Sequence, residues 1–440
     1  MMSNTAPNVL VAQSGGPSPV INASLQGVID RCRREPERFG TVLAGEHGIE
    51  GVLREELLDL DAEDPEEIAR LRTTPSAGAI GSCRYKLHDG NTEDFQRIID
   101  VIRAHRVGWF FYIGGNDSMD TAAKVSALAQ SQGLDVRVVG IPKTIDNDVG
   151  DDAFQMVDHT PGYGSTARYW ALITQIANQE NLSMRTSEPV SVFQAMGRRA
   201  GFIPAAARLA DPERALPLQI YTAESGYGLP AMADFVSDDL RRHGRCIVVV
   251  SEGFDVSAAG GLGEAHDAFG HVEYGASRNT VAQQVVNYLN DHGLPVRGNV
   301  TGQVPGILQR STSIFASSVD IDEAYRVGEH AVELASDGRS GIMAALQRVG
   351  GGLAAGDHPY EVRLGEVPLA DVANFHRQLP AAWIDPHRPD VTDAFVDYAM
   401  PLIGAQWAPT ELTAGTQRFA RFRRVRVPVT LPAYVPQNHR

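Results

Sequence analysis

The chain predicts an α/β protein built from two doubly wound domains that face each other across a cleft. Three observations carry this expectation. Short β-branched or aromatic runs alternate with helical patterns, the pattern of parallel sheets covered by helices on both faces. Each such run leads into a polar or glycine-rich loop, and in open α/β sheets ligands gather beyond the carboxyl ends of the strands. At 440 residues the chain is long enough for two domains and an appendage.

The elements follow in order. Val9 to Ala12 reads as a first strand, leading through Ser14-Gly15-Gly16 into a helix from about Pro19 to Cys32. Trp109 to Ile113 is a second clear strand, followed by Gly114-Gly115-Asn116-Asp117-Ser118 and a helix through Leu128. Val136 to Ile141 runs into Pro142-Lys143-Thr144-Ile145-Asp146-Asn147-Asp148, and Cys246 to Val250 runs into Ser251-Glu252-Gly253. A polar, turn-rich stretch sets a boundary near 150–165, and the chain is expected to cross back near 290–305. Residues 1–155, completed by part of 290–350, make the first domain; 156–290 make the second; 351–440 form a C-terminal extension suited to an interface. Within that extension GGGLAAGD (350–357) reads as a loop. The basic stretch RFARFRRVRVPVT (418–430) reads as an extended arm packing on a neighbour.

Composition narrows the function. Hydrophobic residues are 43% and charged residues 21%, ordinary for a globular protein. A formal charge of −15 gives no cationic field for nucleic acid or anionic membrane, so neither is an expected partner. An anionic substrate must then be held by individual Arg and Lys residues. Cys32, Cys83 and Cys246 are far apart and form no metal-binding pattern, which fits a reducing cytoplasm. No apolar run has the length of a membrane span, and the first residues lack a secretory pattern. A soluble, cytoplasmic protein is expected.

The loop 142–148 holds the most chemistry. It combines a cation (Lys143), two carboxylates two residues apart (Asp146 and Asp148) and a hydroxyl (Thr144) at the end of a buried strand. Phosphoryl transfer to an alcohol needs these parts: a base for the hydroxyl proton, a cation facing the phosphate charge, and groups that fix geometry. Read alone, the loop is equally an ordinary polar turn. The remaining loops decide between the two. Ser14-Gly15-Gly16 and Gly114–Ser118 are strand-to-helix turns whose backbone can approach a phosphate closely. Gly81-Ser82-Cys83-Arg84-Tyr85-Lys86 adds two cations, Met196-Gly197-Arg198-Arg199 adds two guanidinium forks, and Gln309-Arg310 adds another. No GxxxxGK[ST] sequence exists, no GxGxxG follows a strand, and protein-kinase catalytic-loop signatures are missing.

Together these motifs resemble the phosphofructokinase family, and within it the pyrophosphate-dependent branch. The matching pieces are AQSGG (12–16), GSCRYKL (81–87), GGNDS (114–118), PKTIDND (142–148), MGRRAG (196–201), SEG (251–253), DAFGH (267–271) and LQR (308–310). The resemblance implies two Rossmann-like domains of the phosphofructokinase type and magnesium-dependent transfer from pyrophosphate to O1 of fructose 6-phosphate. It implies that Asp146 is the general base and that Thr144, Ile145 and Asp148 flank the acceptor. Met196, Gly197, Arg198 and Glu252 match the sugar-phosphate site, with Arg198 also facing the transferring group. Arg310 matches a cation for the acceptor's distal phosphate, and Gly15 and Arg84 match donor contacts. Where ATP-dependent members carry Gly at two positions, this chain has Asp117 and Lys143. The first adds bulk and like charge against a nucleotide, and the second supplies charge to the leaving phosphate. A homo-oligomer, with a dimer favoured, is implied as well.

The departures are equally specific. Asn116 stands where the family usually has the Asp that binds Mg²⁺, so Asn116 with Asp117 is a weak metal set. Pro189, Thr301 and Ile307 replace cationic or imidazole residues of the acceptor-phosphate pocket, and Gln194 replaces a Glu. Arg185, Arg199 and Lys86 are candidates to compensate. Two alternatives stay open: the same chemistry on sedoheptulose 7-phosphate, or a catalytically weak regulatory paralogue.

Overall fold

The structure is a computed structural model that describes residues 6–75, 78–259, 279–350, 359–373 and 375–440. The strands of its two large sheets are, in chain order, β1 (Asn8–Gln13), β2 (Val42–Gly45), β3 (Leu57–Asp59), β4 (Val107–Gly114), β5 (Arg137–Pro142), β6 (Val190–Ala195), β7 (Leu218–Tyr221), β8 (Cys246–Ser251), β9 (Val300–Gln303), β10 (Ile342–Gly350) and β11 (Glu361–Pro368). Seven of them form one sheet in the order β11-β10-β5-β4-β1-β2-β3, and four form a second in the order β7-β8-β6-β9. The second sheet is parallel throughout. The first is parallel from β2 to β10 and carries an antiparallel strand at each edge, β3 and β11.

The α/β class expected from the sequence therefore holds, and the reason lies in the strands. Successive side chains of a strand point to opposite faces, and a parallel strand must be apolar on both. In β1, Val9 and Val11 pack against helices Ile21–Arg33 and Ser318–Ser336, through Leu25, Val28, Val327 and Ala331. Leu10 and Ala12 face the other way, onto helices Thr92–Ala104 and Asn116–Ser131, through Ile98, Ile102 and Val125. The second sheet repeats the arrangement. Ile247 and Val249 pack toward Trp170 and Phe202, while Val248 and Val250 pack toward Met232, Val236 and Val285. Each buried Val, Leu or Ile side chain contributes roughly 1.5–3 kcal/mol relative to exposure.

The predicted helix from Pro19 begins two residues later, at Ile21, because Pro19 and Val20 form a turn. The chain leaves the first sheet after β5, builds β6 to β9, and returns to place β10 alongside β5.

The described part of residues 351–440 is spread over both sheets. β11 closes an edge of the first, and helix Asp393–Ile403 buries Phe395, Tyr398 and Leu402 with the core of the second. The basic stretch 418–430 packs on its own chain, a correction to the expected arm on a neighbour. It follows the free edge of β3: Asp59 donates to the Val425 carbonyl (2.8 Å) and Val427 donates to the Leu57 carbonyl (3.0 Å). Its charge has a local use, since Arg424 and Arg426 both pair with the buried Glu46. Covering an edge in this way removes a template for unwanted pairing. The DAFGH motif lies outside the described residues, as do positions 351–357 of the GGGLAAGD loop. Among the described residues no helix is long and apolar enough to cross a membrane.

Candidate active site

One cleft, with about 750 Å³ of open space, receives the carboxyl-terminal ends of β1, β4, β5, β6 and β8. Gly15 arrives after β1, Asn116 and Asp117 after β4, and Lys143, Thr144, Ile145, Asp146 and Asp148 after β5. The second sheet sends Met196 and Arg198 after β6 and Glu252 after β8. Arg84 from a loop, Arg310 from the short helix Leu308–Ser311 and His376 from the segment after β11 complete the wall. Of the residues to which the resemblance gives catalytic, substrate-binding or metal roles, only Gly197 does not line the space. Its backbone N–H instead donates to Glu252 Oε1 (3.2 Å), which also accepts from the Arg198 N–H (2.9 Å).

The glycine loop and the Arg84 loop are stitched together. The Gly15 N–H donates to the Cys83 carbonyl (2.9 Å), and the Ser82 hydroxyl donates to the Gly15 carbonyl (2.9 Å). Lys143 crosses to the same place and donates from Nζ to the Gly16 carbonyl (2.6 Å). The Arg310 guanidinium lies against Gly16 as well, where a Cβ would sit 2.6 Å from Nη1. Burial and the neighbouring Arg310 and Arg84 charges push the Lys143 pKa down to about 7. Burial and like charge thus disfavour the protonated Lys143, and a bound anion would favour it.

The carboxylates are tuned in opposite directions. Burial and the Asp148 charge raise Asp146 to about 6, against the pull of Arg198 and Lys143. Burial also works to raise Asp148, but the hydrogen bond and charge of His376 outweigh it and hold that carboxyl below its ordinary range. His376 Nδ1 is 3.2 Å from Asp148 Oδ2 and 3.1 Å from Asn116 Nδ2. Glu252 is raised to about 7 by burial and by Asp146. Two carboxyls pushed apart in a shared cleft mark the proton-accepting member of the pair.

Backbone geometry fixes the loops. Asn147, between the two carboxylates, has φ +58°, and Arg198 has φ +51°. Asn147 Oδ1 accepts from the Thr160 N–H (3.1 Å) and its Nδ2 donates to the Tyr398 hydroxyl (2.8 Å). Gly253 is required by close approach: a Cβ there would meet the Arg198 carbonyl oxygen at 1.9 Å. Gln309 Oε1 accepts from the Met196 N–H and from Trp170 Nε1, both at 3.0 Å.

Sequence reasoning missed His376, Arg377 and the positioning role of Gln309. His376 and Arg377 sit after β11 in a stretch without strand-and-loop grammar; only their basic side chains could have drawn notice. Of the compensating cations, Lys86 pairs with Asp117 (2.9 Å) on the first-sheet side, and Arg185 and Arg199 are exposed. Pro189 packs on Gly298, Gln194 Oε1 accepts from the Ala282 N–H (3.0 Å), and Ile307 is 64% exposed.

Among the described residues no three His, Cys, Asp or Glu side chains group to hold a metal ion. Oxygen donors are nevertheless present, because Asn116 Oδ1 is buried with no protein partner beside the Asp148 carboxylate. A hard divalent cation accepts such a carbonyl–carboxylate set.

A base, converging cations and a hydroxyl at strand ends define a phosphotransferase cleft between two sheets. The chain belongs to the phosphofructokinase family, whose model matches residues 8–335. It is 40% identical over 434 residues to a Halomonas elongata protein named pyrophosphate–fructose 6-phosphate 1-phosphotransferase, covering 97% of this chain and 99% of that one. It also resembles two crystal structures titled pyrophosphate-dependent phosphofructokinase. One is from Marinobacter aquaeolei (35% identity, TM-score 0.84, 98% and 99% coverage). The other is from Nitrosospira multiformis (36% identity, TM-score 0.85, 98% and 100% coverage).

Proposed function

We propose that this protein transfers a phosphoryl group reversibly from pyrophosphate to O1 of fructose 6-phosphate, giving fructose 1,6-bisphosphate in glycolysis. The observation that carries the reading is the meeting of Asp146, Lys143 and Arg198 in one cleft, with Asp146 raised into the range of a working base. The relatives' names support the choice of donor and acceptor.

Asp146 accepts the proton of the sugar 1-hydroxyl as the oxygen attacks, and Thr144, whose hydroxyl accepts from the Asp146 N–H (3.1 Å), holds the base in place. Lys143 faces the leaving phosphate and Arg198 the group in transit, so developing charge meets fixed cations. Gly15 and Arg84 hold the donor on the first-sheet side. Met196, Gly197 and Glu252 hold the sugar on the second, and Arg310 the distal phosphate. In this reading the unit built on the first sheet is the donor domain and that on the second the sugar domain. Family members generally use a divalent metal; here Asn116 and Asp148 would hold Mg²⁺, which would draw negative charge from the phosphate oxygens, while Asp117 is engaged by Lys86. Asp117 and Lys143 together disfavour a nucleotide. The enzyme is read as cytoplasmic and homo-oligomeric, with a dimer favoured.

A second acceptor, sedoheptulose 7-phosphate, stays open because Pro189, Thr301 and Ile307 carry no charge at positions where the resemblance implies groups for the acceptor phosphate. Pyrophosphate and ATP measured against both sugars test the reading. Turnover with pyrophosphate and fructose 6-phosphate, and none of use with ATP, is expected. A higher kcat/KM on sedoheptulose 7-phosphate reassigns the acceptor, and no pyrophosphate consumption above background leaves a regulatory paralogue.

A further inference from the structure

The donor side of the cleft contains a charge arrangement that its lining residues alone do not explain. Asp117 projects from the first turn of helix Asn116–Ser131 and lines the cleft. Taken alone, its carboxylate repels pyrophosphate as well as a nucleotide, which is a poor way to select between two anions. Lys86 lies outside the cleft wall, and its Nζ is 2.9 Å from Asp117 Oδ1, the two side chains being 28% and 26% exposed.

Lys86 is placed by its backbone. Its carbonyl accepts from Asn438 Nδ2 (2.9 Å), and the preceding Tyr85 hydroxyl accepts from the Asn438 N–H (3.0 Å). Tyr85, only 4% exposed, donates to Asp94 Oδ2 (2.6 Å). The other oxygen, Asp94 Oδ1, takes the Tyr434 hydroxyl (2.7 Å) and the Gln437 N–H (3.1 Å). The loop that carries Arg84 and Lys86 is thus backed by residues 434–438, beyond the 8–335 span of the family match.

We propose that Lys86 is a positioning and specificity-determining residue: it holds the Asp117 carboxylate across the donor mouth and neutralises it. Asp117 then keeps the bulk that excludes a nucleotide, while its repulsion of pyrophosphate is cancelled. Specificity arises from what is rejected as well as from what is bound, and a rim charge acts chiefly on ligand capture rather than on the chemical step. The pair contributes little to stability, as expected of a partly exposed ion pair. The inference rests on pyrophosphate being the donor.

A double-mutant cycle tests it, using the full chain with Lys86→Met, Asp117→Gly and both together. Lys86→Met should raise KM for pyrophosphate about tenfold, a charge effect that shrinks with added salt. KM for fructose 6-phosphate and kcat should change by less than about twofold, within the scatter of independent sites. In the Asp117→Gly background the same change should leave KM for pyrophosphate within about twofold, and Lys86→Arg should restore wild-type behaviour. An equal rise in both backgrounds, or no rise at all, overturns the inference. Calorimetric titration with pyrophosphate alone reads the same coupling without turnover. Absence of pyrophosphate turnover in the wild type therefore sinks the proposed function, while absence of calorimetric coupling sinks the role of Lys86.

Discussion

Arg377 grips the backbone of Asn147, the residue between Asp146 and Asp148 in the loop after β5. Its Nε and Nη2 both donate to the Asn147 carbonyl (3.1 and 3.0 Å), Nη2 also reaches Asn147 Oδ1 (2.9 Å), and Nη1 reaches the Val157 carbonyl (2.7 Å). Its own N–H donates to the Asp148 carbonyl (2.9 Å), and the guanidinium lies 4.1 Å from the Phe154 ring centroid. A wholly buried arginine is tolerated here because the carbonyls it meets replace its water.

Arg377→Lys should uncouple these contacts, since an ammonium is a compact charge that cannot reproduce the fork. We expect kcat per folded molecule to fall at least about tenfold, as a misplaced catalytic group costs up to 10²-fold, with both KM values little changed. Thermal unfolding measured alongside separates this from lost fold: unchanged kcat in the folded fraction assigns Arg377 to stability alone.

Asp146→Ala should cost on the order of 10²-fold or more in kcat, the usual contribution of a general base. Retention of more than about a tenth of wild-type kcat removes Asp146 from that role. Burial and Asp148 raise the Asp146 pKa to about 6, so the base form is lost as pH falls through that value. The acid limb of kcat/KM should bend near pH 6 and disappear from the residual activity of the variant.

Donor choice should yield to two substitutions. Asp117→Gly with Lys143→Gly removes bulk from the donor mouth and a cation from the leaving phosphate, and the ratio of kcat/KM for ATP to that for pyrophosphate should rise at least about tenfold. An unchanged ratio removes these two residues from donor selection.

His159 makes stability depend on alkaline pH. It is 1% exposed, with Nδ1 2.8 Å from Asp158 Oδ2 and Nε2 2.8 Å from Glu323 Oε2. Burial opposes its charge, but Glu323 and Asp158 prevail and raise its pKa from 6.5 to about 9. A raised folded-state pKa stabilises fully below the unfolded value and is lost as pH rises through the folded one. The Tm should therefore decline between pH 6.5 and 9. His159→Gln should lower Tm at pH 6.5 and flatten that decline; an undiminished slope assigns the effect to other groups.

The sequence showed most plainly what burial makes continuous. β1, β4, β5 and β8 are apolar on both faces and end in polar loops, so strand and site could be read together. The antiparallel edges could not. β3 is three residues long, and β11 buries only Val362 and Val367, on opposite faces, among exposed or half-exposed residues. The cleft was legible wherever a side chain enters it directly, as with Lys143, Asp146 and Arg198. It was illegible where the contact depends on the return of a distant segment. Nothing local to His376 or Arg377 announces that β11 will deliver them to the loop after β5. Lys86 looked like a cation for the acceptor's phosphate, and its pairing with Asp117 could not be read from the sequence.

The pairing of β10 with β5 also has a consequence for synthesis. Val139 and Gly140 wait for Ile342 and Met343 while residues 143–341 are made. Until then β5 is an open edge on a half-built sheet, and the second sheet, lying wholly within that interval, can close first. A chain that stops before Ile342 therefore keeps β5 as an open edge and lacks helix Asp393–Ile403, which completes the core of the second sheet, a form prone to aggregate.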